Sequence, residues 1–118
     1  LASDIDLIKI QAAGSPVNDA LEIVVLRRVF EVLPPCVSFK STLGHTLGAS
    51  CVAETALLLA CLARGVWPQL NYTLEPEVEG VMVCSDRPLA ASGVETVLLV
   101  GLGFGGGHSV LILKRHRA

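Results

Sequence analysis

The sequence predicts an α/β fold in which one mixed β-sheet carries packed helices. Three observations lead there. Short apolar runs of strand length alternate with longer stretches at helical spacing over the first 64 residues. Two β-rich runs near the C terminus, Glu95–Val100 and Ser109–Leu113, flank a glycine-rich loop and read as a hairpin. Of 118 residues, 52% are hydrophobic and only 17% charged, which suits one compact domain over 1–118 with a sizeable core. Strands alternating with helices become parallel neighbours, and a closing hairpin adds an antiparallel one.

Ile5–Ile10 alternates weakly and reads as a strand that ends at a turn over Gln11–Ser15. Asp19 followed by Glu22 has the spacing of a capping box. Leu21, Val25, Val29, Val32 and Leu33 then recur at helical spacing, with Glu22, Arg27, Arg28 and Glu31 as polar positions. Pro34-Pro35 ends that helix. Cys36–Phe39 is a short strand, and the Lys40 loop follows it. Ala49–Arg64 is apolar nearly all round, as expected of a helix buried between layers, and Gly65 stops it. Val66–Gly80 reads as an irregular surface connection, Val81–Val83 as a brief strand and Pro88–Gly93 as a second connection, so the order is β-α-β-α-(β)-β-β.

Composition excludes several classes of function. A net charge of −2 and 4% aromatic residues argue against nucleic-acid binding, which needs positive charge and stacking platforms. Cys36, Cys51, Cys61 and Cys84 have neither C-x-x-C spacing nor the density of a disulfide framework, so they read as reduced, packed residues of a cytoplasmic protein; no metal-ligand pattern is present. Leu1-Ala2-Ser3-Asp4 leads almost at once into a core strand, which is the start of a fragment rather than of a signal peptide. Leu47–Ala63 is barely long enough to span a bilayer and carries Glu54, so it reads as a core helix and no membrane span is expected.

The chemistry concentrates in Lys40-Ser41-Thr42-Leu43-Gly44-His45-Thr46-Leu47-Gly48-Ala49-Ser50, where an ammonium and an imidazole lie five residues apart on a strand-to-helix connection. Lys40 can donate hydrogen bonds and add positive potential, which favours a thiolate or an enolate. Glu54 is a charge in an apolar helix. It would be costly to bury without a partner.

These residues carry a resemblance. The segment Lys40–Ser50, with Glu54 nine positions after His45, resembles the Lys/His segment of the β-ketoacyl synthases, which have the thiolase-like fold. Ile10–Asp19 resembles that family's H-G-T-G-T-x-x-N-D segment, and Gly103–His108 its G-F-G-G-T-N loop. The resemblance implies the C-terminal half of a thiolase-like fold, in which two such halves pack back to back. It also implies a decarboxylative Claisen condensation of acyl and malonyl thioesters in fatty acid or polyketide synthesis, with the nucleophilic cysteine in the N-terminal half. The substrates would ride on the phosphopantetheine of an acyl carrier protein, with no other cofactor, in a homodimer or a heterodimer with a related ketosynthase.

By the same resemblance His45 matches a catalytic histidine, with Lys40 and Gln11 as the other catalytic positions. Ser15, Phe104, Gly105 and Gly106 match substrate contacts, while Glu54, Asn18 and Asp19 match structural supports. Two positions depart from the pattern. Gln11 stands where the family has its first histidine, and Ala13 stands where it has a threonine. Glutamine donates an N–H but does not titrate near neutral pH. Two readings therefore follow, an active synthase and a catalytically degenerate partner resembling a chain-length factor.

Cys51 reads as packing, and the basic end Lys114-Arg115-His116-Arg117 reads more readily as a solvated terminus than as a carrier-docking patch. The glycines around Phe104 join two strands with no helix after them, which excludes a dinucleotide loop. Two expectations are geometric. Gln11, His45 and Phe104 should meet at one end of the sheet, the first two within about 10 Å. An apolar face normally covered by the other half should be exposed.

Overall fold

A computed structural model of the chain describes residues 1–66 and 91–116. The elements are β1 (Leu7–Lys9), α1 (Pro16–Val29), β2 (Cys36–Val37), α2 (Lys40–Leu43), α3 (Ser50–Arg64), β3 (Thr96–Leu102) and β4 (His108–Lys114), with short 3-10 turns at Ala2–Asp4, Leu47–Ala49, Ala91–Gly93 and Phe104–Gly106. The connection predicted beyond Val66, the Val81–Val83 strand, Cys84 and Pro88 to residue 90 lie outside the described residues.

The sheet is mixed, as expected, with strand order β2-β1-β3-β4. β1 runs parallel to β2, with Ile8 opposite Cys36, and parallel to β3, with Ile8 opposite Leu98. β3 and β4 form the antiparallel hairpin, Val97 facing Leu113 and Leu102 facing His108. Side chains alternate across a strand, so β1 serves both faces. Leu7 joins Val37, Phe39, Val97 and Leu99 in a core with Leu58 and Cys61 of α3. Ile8 and Ile10 join Cys36 and Leu98 in a second core with Ile23, Leu26 and the adjoining Phe30 of α1. The described residues thus form three layers, with α1 on one face of the sheet and α3 on the other. Both cores depend on β1.

α1 differs from expectation in start and in face. It begins at Pro16, with Ser15 in the cap position and extended (φ −105°), a favourable place for proline because the first turn has no internal partner for an N–H. It ends at Val29, five residues before Pro34. Its buried residues are Glu22, Ile23 and Leu26; Leu21, Val25 and Val29, assigned to the core stripe by spacing, are exposed, as is Val32 beyond it. The helix has two apolar stripes, and the sheet takes the one that carries Glu22.

α3 follows the predicted limits to within a residue. Gly65, at φ 69°, takes the left-handed conformation that closes a helix, and Val66 N–H bonds back to the Cys61 carbonyl. By length and composition alone Leu47–Arg64 could cross a membrane. Its inward face, Ser50, Glu54, Leu58 and Cys61, instead packs on the sheet. The expected burial all round is not seen: Val52 is 73% exposed and Leu59 46%. Val110, Leu111 and Ile112 of the edge strand β4 are likewise exposed, so apolar surface is left uncovered on several elements.

Candidate active site at the carboxyl ends of three parallel strands

Because β2, β1 and β3 are parallel neighbours, the segments that leave their carboxyl ends emerge from one edge of the sheet, where α/β folds place their ligands. Those segments carry Lys40 and His45 after β2, Gln11 after β1, and Phe104 after β3. The shared edge expected for these residues is therefore a property of the topology. The basic end of the chain lies elsewhere. Lys114 pairs with Thr96 at the opposite edge, and Lys114, Arg115 and His116 line a shallow depression there with Asp4, Asp6 and Glu95.

Glu54 holds the His45 segment in place. Its carboxylate, 1% exposed, bonds the Lys40 ammonium through Oε1 and accepts the Phe39 N–H through Oε2 at 3.3 Å. Oε2 also lies 3.3 Å from Nζ of Lys9. A carboxylate buried among three donors is anchored. Lys40 opens the single helical turn α2 rather than an irregular loop, and Gly44 ends that turn at φ 74°.

His45 has a defined tautomer. Leu47 N–H donates to its Nδ1 at 3.0 Å, and Ser50 Oγ lies 3.3 Å from the same nitrogen. A backbone N–H can only donate, so Nδ1 is the acceptor and the neutral ring carries its proton on Nε2. The ring is exposed and that N–H is available to a ligand. Leu47 makes its contact from a left-handed backbone, φ 52°.

The Gln11 segment is held by two carboxylates. Gln11 N–H and Ala12 N–H donate to the two oxygens of Glu22 at 2.7 and 3.0 Å. Ala13 N–H and Gly14 N–H donate to the two oxygens of Asp19 at 2.9 and 3.0 Å. The Asp19–Glu22 pair is therefore no capping box: both residues reach back from inside α1 to the turn before it. The Gln11 side chain is buried, and its Oε1 has no hydrogen-bond partner among the described residues. Ser15 is half-buried with no capping bond from its side chain, and Asn18 is exposed.

Phe104 stands 92% exposed at the tip of the hairpin. The loop is closed by Gly103 N–H on the Gly107 carbonyl at 2.6 Å, and Gly105 and Gly106 have φ of 76° and 82°. Within β3, a Cβ at Gly101 would lie 2.5 Å from Cys51 Sγ, so Cys51 packs against the strand as expected.

Residues 1–73 match the family model described as Beta-ketoacyl synthase, C-terminal domain. The chain belongs to the β-ketoacyl synthase family. It is 34% identical over 115 residues to 3-oxoacyl-(acyl-carrier-protein) synthase 1 of Haemophilus influenzae, covering 95% of this chain and 28% of that protein. It is 35% identical over 120 residues to the actinorhodin polyketide putative beta-ketoacyl synthase 1 of Streptomyces coelicolor, covering 96% of this chain and 25% of that one. Among solved structures, the ishigamide ketosynthase/chain length factor superposes with a TM-score of 0.79 at 25% identity, over 99% of this chain and 29% of the other. Ketosynthase twelve of the bacillaene polyketide synthase from Bacillus amyloliquefaciens gives 0.75 at 22%, over 97% and 23%. The fold is thus the thiolase-like fold of ketosynthases, and this chain spans 28% or less of the length of the two curated relatives.

Within this chain, sequence reasoning missed Lys9. It is the last residue of β1, is 1% exposed, and adds a second ammonium to Glu54. A signal was available: Lys9 follows Leu7 at the alternate, inward position of an apolar run, and Glu54 is equally out of place in its apolar helix. Two opposite charges, each inside an apolar element, point to each other.

Proposed function

We propose that this chain is the C-terminal part of a cytoplasmic β-ketoacyl-(acyl carrier protein) synthase that joins acyl and malonyl thioesters by decarboxylative Claisen condensation. The observation that carries this reading is His45, whose Nδ1 is occupied by Leu47 N–H and whose Nε2–H is left to donate. Loss of carbon dioxide from a malonyl thioester breaks a C–C bond and leaves its electron pair as an enolate. Preorganised N–H donors at the enolate oxygen lower that barrier. His45 supplies one, the Gln11 amide a second, and Lys40, held by Glu54, adds positive potential. The enolate carbon then attacks an acyl thioester on a cysteine, which leaves as thiolate.

That cysteine belongs to the N-terminal half of the synthase. Cys36 and Cys61 are buried, Cys51 is packed against β3, and burial pushes the Cys61 thiol up, away from the thiolate needed for attack. The same half would cover the exposed face of α3. Ser15 would hold the pantetheine arm of the carrier protein, and Phe104 with Gly105 and Gly106 would close over the acyl chain. A homodimer or heterodimer with a related ketosynthase completes the assembly.

A second reading, a degenerate partner that shapes the acyl tunnel as a chain-length factor does, is favoured by one feature. Gln11 cannot titrate, and its side-chain carbonyl is buried without a partner among the described residues. Carbon dioxide release from malonyl carrier protein separates the two, measured on the complete polypeptide alone and with any co-purifying synthase. For the synthase, His45→Ala costs about 10²- to 10³-fold, Gln11→Ala costs less, and Gln11→His retains or raises the rate. No release by the polypeptide alone, with full activity of a complex carrying His45→Ala, would leave only the partner role.

A further inference from the structure

Lys9 is where the three site-bearing segments are tied together. Its backbone belongs to β1, two residues before Gln11. Its ammonium lies 3.3 Å from Glu54 Oε2, which anchors Lys40 and the Phe39 N–H, and 3.4 Å from the carbonyl of Val100 on β3, the strand that leads to Phe104. The side chain is 1% exposed. An alkyl stem of that length, buried and ended by a charge, is a costly choice for a central strand, where an aliphatic residue would pack without a partner.

Charge counting shows that stability does not require it. Without Lys9, Glu54 would still face Lys40 one to one and still accept the Phe39 N–H. With Lys9, two ammoniums share one carboxylate. The second ammonium is thus surplus to neutralisation; what it adds is orientation, since it joins the Phe39 N–H at Oε2, the oxygen of Glu54 that Lys40 does not hold. We propose that Lys9 is a positioning residue of the condensing site, setting Glu54 and through it Lys40 and the segment that presents His45. This rests on the synthase reading above.

The test uses the complete polypeptide and malonyl carrier protein. Lys9→Met keeps the stem and removes the charge. It is expected to lower kcat for decarboxylation about tenfold, with KM within twofold and the unfolding midpoint unchanged or raised; a residue that served only the core would lower the midpoint and leave kcat alone. Because Lys9 acts through Glu54 on Lys40, adding Lys9→Met to Lys40→Met should cost less than twofold more. Lys9→Gln, which retains a donor, takes the place of Lys9→Met if that variant does not fold, with a smaller loss expected. A folded Lys9 variant with kcat within twofold of wild type, or losses that multiply in the double variant, would overturn the proposal while leaving an active wild type to support the synthase reading. An inactive wild type would overturn that reading, and the role of Lys9 with it.

Discussion

The segments that carry Gln11 and His45 leave the same edge of one sheet, yet they are held by opposite means. Around Gln11 the backbone is fixed. Four consecutive N–H groups end on Glu22 and Asp19, while the side chain they present keeps a buried carbonyl without a partner among the described residues. Around His45 the side chains are fixed. The imidazole has its Nδ1 occupied, Lys40 is bound to Glu54, and the surrounding backbone is exposed. The carboxylate clamp of the first segment can therefore outlast a change of its functional side chain, because its four hydrogen bonds all come from backbone N–H groups and not from the Gln11 side-chain amide. In the second, the functional side chain Lys40 is itself bound to its support Glu54, so a change in either is felt by the other.

The largest expected effect breaks the second segment. Glu54→Ala leaves two ammoniums buried with no carboxylate, so the complete polypeptide should lose about 3–5 kcal/mol in urea unfolding, the cost of breaking a buried pair from one side. Glu22→Gln tests the first. One carboxylate oxygen becomes an NH₂ that cannot accept, one of the Gln11 and Ala12 N–H groups loses its partner, and about 1–3 kcal/mol should follow. A loss at Glu22 as large as that at Glu54 would erase the distinction between a backbone clamp and an ion cluster.

Much of this was legible in the sequence, and the failures have physical causes. Alternation and the glycine loop identify the mixed sheet, and a lone charge in an apolar helix marks Glu54 as needing a partner, since both are local patterns. The buried face of α1 was not legible. Leu21, Val25 and Val29 form as good a stripe as Ile23, Leu26 and Phe30, and what decides between them is a long-range demand, that Glu22 reach the N–H groups beyond β1. Asp19 and Glu22 were misassigned for the same reason. Their spacing fits a cap, but their partners lie five to eleven residues back in the chain.

The smallest effect concerns backbone strain, which the two segments share. The non-glycine residues with positive φ among those described are Ala12, at 39°, one residue after Gln11, and Leu47, at 52°, two after His45. A side chain in the left-handed region costs about 1–2 kcal/mol, while glycine gives back about 0.5–1 kcal/mol through the freedom of the unfolded chain. Ala12→Gly should therefore stabilise the complete polypeptide by about 0.5 kcal/mol, read as a small rise in the urea midpoint with unchanged slope. Leu47→Gly offers a similar relief but loosens the N–H that sets the tautomer of His45, so it should slow decarboxylation even where stability is kept. Equal behaviour of the two variants in both measurements would show that the His45 tautomer does not depend on the strained turn beside it.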